Sequence, residues 1–232
     1  MCGRFTLTAP RADIARFLAA ELPEGEEPAP RWNIAPTQDV LAAVQDGPAR
    51  RLQDLHWGLV ASWAKDRSMA GRMINARAET VAAKPAFRAA FRARRCLVPM
   101  SGFYEWKREG GLKLPFHFCR SGGGLLAAAG LWESWTDPDG LVLRSVALLT
   151  TEANDLMRPV HHRMPVLLDR AGREAWMDPA ATPTGLQALL VPAAAGRLER
   201  WRVSRAVNRA SFDQPSCVEP AAPGGLVGDP PT

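Results

Sequence analysis

The chain has 232 residues, 47% hydrophobic and 23% charged, which suits one sizeable globular domain and excludes a largely disordered chain. Lys and Arg number 29 against 24 Asp and Glu, a net charge of +5 that permits a polyanionic partner without requiring one. Four cysteines, at 2, 96, 119 and 217, are too few for a disulfide-dense secreted scaffold and form no CxxC pair.

In chain order, the opening MCGRFTLTAP lacks the basic-then-apolar pattern of a secretory leader. Residues 10–22 predict a short helix with Ile14, Phe17 and Leu18 on one face and Arg11, Asp13 and Arg16 on the other. An acidic, proline-rich loop follows at 23–30. Residues 40–44 and 52–60 read as strands, and 63–72 as an exposed loop. Residues 83–94 predict a helix whose basic end, with Arg88, Arg92, Arg94 and Arg95, suits the helix dipole. Strands are expected at 96–98, 103–106, 114–119, 125–131 and 142–150. A turn at 99–102 joins the first two, and Gly110-Gly111 marks a hairpin. Helices at 170–177 and 185–190 and a last strand at 201–203 complete the series. The tail from 220 to 232, rich in proline and glycine, is expected to be disordered beyond a domain of residues 1–219. The longest apolar stretch, 125–132, is far short of a membrane span, so the expected compartment is the reducing cytoplasm. The predicted class is a single α+β domain with a mostly antiparallel sheet.

Four places suggest chemistry. Cys2 follows the initiator methionine, and removal of Met1 leaves an N-terminal cysteine. Its α-amine, with an ordinary pKa of about 8 against about 10.4 for lysine, is neutral roughly a hundredfold more often near pH 7. The amine can attack an aldehyde, and the adjacent thiol can close a five-membered thiazolidine on the same carbon. The alternative is that Cys2 is simply a small residue. Glu105 lies in Gly102-Phe103-Tyr104-Glu105-Trp106, where aromatic neighbours favour desolvation and a raised pKa, or it faces water from a strand.

His161-His162 contains two of the four histidines. Neighbours on an extended segment point to opposite sides, so one of them enters a site as proton donor or acceptor. No further His or Cys sits at metal-ligand spacing. Asn75 and Arg77 share a face if their segment is a strand, the first suited to orienting a substrate and the second to holding a phosphate. Trp32 to Thr37, Trp57-Gly58 and Trp63 add aromatic groups among basic residues, a composition that suits single-stranded nucleic acid or, for any single tryptophan, core packing.

Several segments together resemble one family: Met1-Cys2-Gly3-Arg4-Phe5, Trp32-Asn33-Ile34-Ala35-Pro36-Thr37, Trp57-Gly58 with Trp63, Ile74-Asn75-Ala76-Arg77-Ala78-Glu79-Thr80, Cys96-Leu97-Val98-Pro99, the Glu105 segment, Ala129-Gly130-Leu131-Trp132-Glu133, Val160-His161-His162-Arg163-Met164-Pro165 and Val203-Ser204. They run in order from residue 1 to about 208 and resemble the SRAP family, the SOS-response-associated peptidase proteins that process abasic sites in single-stranded DNA. Residues 61–72 are longer and more basic than the family pattern. The resemblance implies a single domain with a β-barrel-like core. It implies a thiazolidine crosslink between Cys2 and the ring-opened aldehyde of an abasic site, with Asn75, Glu105 and His161 as positioning and acid–base residues. It further implies DNA contacts from Arg4, Asn33, Pro36, Trp63, Arg77, Thr150 and Arg163, with no cofactor, metal or membrane. A monomer is expected, cytoplasmic and nucleoid-associated when bound to DNA, with strand cleavage and self-removal of Met1 as further activities. The rival readings are an N-terminal-nucleophile amidotransferase or peptidase, which also begins Met-Cys-Gly, and a non-catalytic single-strand-binding protein.

Overall fold

The alternating and continuous apolar runs of the sequence are realised as twelve strands among the described residues. The computed structural model describes residues 2–22, 24–47 and 49–221. The first half contains β1 (Phe5–Leu7), α1 (Arg11–Leu18), β2 (Arg31–Ile34), β3 (Asp39–Asp46), β4 (Ala49–Trp57), β5 (Asn75–Arg77), α2 (Arg88–Ala93) and β6 (Arg95–Met100). The second half contains β7 (Gly102–Glu109), β8 (Leu112–Arg120), β9 (Leu126–Thr136), β10 (Val142–Glu152), β11 (Arg163–Pro165), α3 (Arg170–Met177), α4 (Pro183–Ala188) and β12 (Leu198–Arg202).

Strands β10, β4, β3, β6 and β9 pair in that order, and β9 pairs back onto β10 to close a five-stranded barrel. A second sheet runs β12-β8-β7-β1-β2. Most pairings are antiparallel, as expected, and the exceptions lie on β10, which runs parallel to β4 and β5. Both faces of the barrel strands are apolar. Val40, Ala42 and Val44, with Cys96 and Val98, pack with Cys2, Phe5, Phe103 and Phe118. Leu41 and Ala43, with Leu97, Ala129 and Leu131, pack with Ile14, Phe91 and Trp176 from the helices. This two-sided burial explains why these strands read as unbroken apolar runs rather than alternations.

Gly110 and Gly111 turn the β7–β8 hairpin with φ of 55° and 77°, a left-handed pair that residues with a Cβ adopt at a cost. Helix α3 spans the predicted residues and is capped by Asp169, whose carboxylate accepts from Gly172 N–H at 2.8 Å. Helix α1 stops at Leu18 rather than 22, because Ala19 takes a left-handed conformation with φ of 50°. Helix α2 begins at Arg88 rather than 83. Pro85 disfavours helical backbone at Lys84, and turns fill the interval. Arg95 then folds back to donate to the carbonyls of Phe91, Arg92, Trp176 and Asp178, satisfying the end of that helix from inside. Strands β1, β2, β5 and β11 are three or four residues long and were not predicted as strands outright.

Pro220 bridges Val203, and Ala221 N–H donates to Arg202 at 2.8 Å. The rest of the expected disordered tail, from 222, lies outside the described residues, as does Met1. Among the described residues no helix is long and apolar enough to cross a membrane.

Candidate active site

Main-chain pairing brings four distant segments to one place. β1 pairs with β7 through Phe5 and Phe103, and Tyr104 N–H donates to the Arg4 carbonyl at 2.9 Å, which sets the Cys2 segment beside Glu105. Asn75 is placed by the parallel β5–β10 register, and Trp57 Nε1–H ties the preceding Ile74 carbonyl at 3.0 Å. His161 ends a turn in which its own N–H donates to Met157 at 3.0 Å and Asn154 caps Met157 at 2.9 Å.

Cys2 is fully buried, and Asn75 Nδ2 donates to its carbonyl oxygen at 2.8 Å, fixing the main chain next to the thiol. Burial, with a smaller push from the charge of Glu105, raises the Cys2 thiol to about 12. Glu105 is 2% exposed, and burial holds its carboxyl above the ordinary value. Nδ1 of His161 stands 3.9 Å from Glu105 Oε1 and faces the Arg163 main chain, 3.0 Å from its nitrogen and 3.2 Å from its carbonyl oxygen. Burial lowers the His161 pKa, so this ring is neutral near pH 7. A thiol, a protonatable carboxyl and a neutral imidazole are therefore held around one anchored main-chain segment.

Glu105 and His161 border a cavity of about 360 Å³ that is also lined by Gly3, Arg4, Trp106, Arg108, Lys113 and Asn208, while the Cys2 side chain lies buried behind Gly3 in the chain rather than on the cavity wall. Arg108 and Lys113 are a cross-strand pair on the β7–β8 hairpin. The sequence reading passed over both, although their place two residues either side of Gly110-Gly111 was a signal that they face each other.

The family model for SOS response associated peptidase (SRAP) proteins matches residues 1–210. The chain belongs to the SRAP family. It is 42% identical over 223 residues to "Abasic site processing protein YoqW" of Bacillus subtilis (strain 168), covering 94% of this chain and 99% of the relative. It is 31% identical over 264 residues to "Abasic site processing protein HMCES" of Gallus gallus, covering 95% and 78%. A solved protein from Bacteroides thetaiotaomicron shares the fold with a TM-score of 0.85 at 22% identity, covering 95% of this chain and 100% of that one. A second, from Bordetella bronchiseptica, gives 0.76 at 27%, covering 88% and 100%.

The remaining residues singled out in this SRAP chain take varied positions. Arg77 and Trp63 are exposed, Trp63 at 68%, and Pro36 is half-buried. Arg4 lines the cavity, while its Nη1 donates to Asn33 at 2.8 Å and to the Val207 carbonyl at 3.0 Å. Asn33 is buried and spends its amide on the carbonyls of Val207, Arg209 and Phe212, so it shapes the cavity through the C-terminal segment it holds. Thr150 is buried behind β5, its hydroxyl 3.4 Å from the Ala76 carbonyl. Arg163 is 8% exposed, and its guanidinium grips Glu79 at 2.6 and 2.9 Å and the Thr150 carbonyl at 2.6 Å, which leaves it committed to the protein rather than extended towards a phosphate.

Glu105 and the histidine pair differ locally from what their sequence neighbours imply. Glu105 is buried, but not by all its aromatic neighbours. Tyr104 packs on the opposite face with Val207 and Cys217, Trp106 packs against that cluster while its edge borders the cavity, and Phe103 shares the strand face of Glu105. The histidine pair does not diverge, because its segment is a turn rather than an extended strand. The rings stack with centroids 4.5 Å apart, His161 against the cavity and His162 exposed.

Proposed function

We propose that this SRAP protein captures abasic sites in single-stranded DNA as a covalent adduct on Cys2. The relatives named above are abasic site processing proteins. The observation that carries the reading is the Asn75 hydrogen bond to the Cys2 carbonyl, which fixes the Cys2 main chain in the same site as Glu105 and His161. Arg4, Arg108 and Lys113 around the cavity supply the positive charge that a phosphate backbone seeks.

Removal of Met1 frees the α-amine of Cys2. The amine attacks the aldehyde carbon of the ring-opened sugar, and a C–N bond forms. Glu105 takes the amine proton and returns it to the carbinolamine hydroxyl, which leaves as water. The thiol then adds to the imine carbon, forming the C–S bond, and its proton passes to the ring nitrogen. A thiol held near 12 is protonated at neutral pH, so this last step draws on Glu105 as a proton relay rather than on a standing thiolate. His161 donates a proton to the sugar ring oxygen as the hemiacetal opens, and the proton released by the hemiacetal hydroxyl returns to the imidazole, which stays neutral overall. Closing the thiazolidine is intramolecular and gains the corresponding effective concentration.

Denaturing electrophoresis with an abasic single-stranded oligonucleotide tests the proposal. A heat-stable shifted band is expected for the parent chain and none for Cys2→Ser, whose amine still forms an imine but whose hydroxyl closes the ring poorly. Equal crosslinking by Cys2→Ser overturns the thiazolidine. Ammonia release from glutamine would favour the amidotransferase instead.

A further inference from the structure

A second cavity, of about 280 Å³, lies elsewhere in the fold, between α1, the start of β9 and the N-terminal turn of α3. Its floor is apolar, with Phe17, Leu125, Leu168 and Leu198, and four arginines, Arg120, Arg170, Arg173 and Arg197, face it with one carboxylate, Asp169. It shares no lining residue with the cavity beside Glu105 and His161. Arg120 sits four residues along β8 from Phe116, the cross-strand partner of Glu105, which is roughly 13 Å at the rise of a strand.

Arg173 is the unusual member. It is 9% exposed, its Nη1 is buried without a hydrogen-bond partner, and no other described residue accepts from its guanidinium. The group lies over the Phe17 ring with 4.0 Å to the centroid, an orientation that holds the plane in place. Every nearby carboxylate is engaged. Asp169 caps α3 through one oxygen and approaches Arg197 at 3.5 Å through the other, and Glu174 is held by Arg50 at 3.0 and 3.3 Å. A buried cation normally has a charged or hydrogen-bonding partner, because removing it from water costs several kcal/mol. Burial lowers the Arg173 pKa, with Arg50 and Arg170 adding to that direction and the charges of Glu174 and Asp169 opposing it from a distance without a hydrogen bond. Arg120 and Arg170 are exposed and have no ion pair among the described residues. Four cations against one aspartate leave three positive charges, which suits a dianion better than a monoanion. The apolar floor suits an organic group attached to it.

We propose that this cavity binds a small phosphomonoester, its phosphate on Arg173 and the arginine rim and its organic group on Phe17 and the leucines. The site is independent of the chemistry at Cys2. The test is calorimetric titration of the full chain with phenyl phosphate, with inorganic phosphate and phenol as the two half-ligands. Saturable one-site binding of phenyl phosphate is expected, with each half-ligand at least tenfold weaker. Arg173→Met should weaken binding at least tenfold. The double variant R170Q/R197Q, altered only at exposed positions, should weaken it severalfold while crosslinking abasic DNA as the parent does. Cys2→Ala should bind phenyl phosphate unchanged. Absence of saturable binding, or equal binding by both arginine variants, overturns the proposal. So does displacement by an undamaged single-stranded oligonucleotide, which would assign these arginines to the DNA backbone.

Discussion

Glu79 and Arg163 meet at 2.6 and 2.9 Å, whereas Glu105 and His161 stand 3.9 Å apart. The two pairs are nearly adjacent in the chain on their basic side, yet their environments push them in opposite directions. The Arg163 guanidinium holds the Glu79 carboxyl below its ordinary value, and both groups stay charged. Burial holds the Glu105 carboxyl above its ordinary value and the His161 imidazole below its own, and both lean towards the neutral form. The first pair is a clamp, fixing β11 and the turn before it against the Glu79 segment. The second is held where charge is disfavoured on both groups, the kind of setting that the proposed acid–base chemistry uses.

The largest effect separates the pairs by activity. Glu105→Gln keeps the shape and removes the titrating proton, so the rate of crosslinking should fall about a hundredfold, on the usual scale of acid–base catalysis. The parent rate should also fall on acidification through the raised Glu105 pKa as the base is protonated. A rate set by Glu79→Gln rather than Glu105→Gln would reverse the assignment.

Stability separates them by sign. Glu79 has a lowered folded pKa, so its contribution is present above the unfolded carboxylate value of about 4.3 and is lost as pH falls through the folded value. Glu79→Gln should cost about 1 kcal/mol at pH 7, because Glu79 is 45% exposed and water screens the pair while Arg163 keeps the Thr150 carbonyl, and nothing once Glu79 itself is protonated. Glu105 has a raised folded pKa, so its contribution is present below about 4.3 and is lost as pH rises through the folded value. Glu105→Gln should therefore gain stability over the parent as pH rises. Denaturant unfolding of both variants from pH 3 to 8 reads the two slopes, and slopes of the same sign would remove the contrast.

His117 gives an internal standard. It is buried between Tyr104 and Trp201, with centroids 5.1 Å away on each side, and both ring nitrogens lack hydrogen-bond partners. Burial lowers it to about 4. A depressed histidine stabilises fully above its unfolded pKa of about 6.5, and the contribution is lost as pH falls towards the folded value. Between those limits the native state should lose about 3 kcal/mol, a loss absent from His117→Phe.

The smallest effect concerns salt. Arg77 is exposed and Arg163 is committed to Glu79. Noncovalent binding of single-stranded DNA should lose about 0.7 in its log–log salt slope for Arg77→Ala, the value of one phosphate contact, and nothing for Arg163→Ala. Equal losses would mean that DNA pulls Arg163 out of its clamp.

Much of this was legible in the sequence where the signal is local. The glycine pair of the hairpin, the apolar runs of β3, β6 and β9, and the span of α3 follow from neighbours within one element. The residues of the candidate site lie in short motifs visible in the sequence. What the motifs could not convey was who holds whom. Arg163 and Glu79 are 84 positions apart, and Asn33 reaches carbonyls 174 to 179 positions away, so no spacing rule distinguishes a buried clamp from a phosphate contact. The three-residue strands β1, β5 and β11 are extended because longer strands accept them, and tertiary pairing of this kind leaves little trace in propensity.

The most direct test of the central claim is the mass and attachment point of the adduct formed with an abasic oligonucleotide. The account predicts a protein lacking Met1, joined to the DNA at residue 2 with the loss of one water and resistant to borohydride, since a closed thiazolidine has no imine left to reduce. Attachment at a lysine, or an adduct at residue 2 that borohydride converts to a reduced amine, would contradict it.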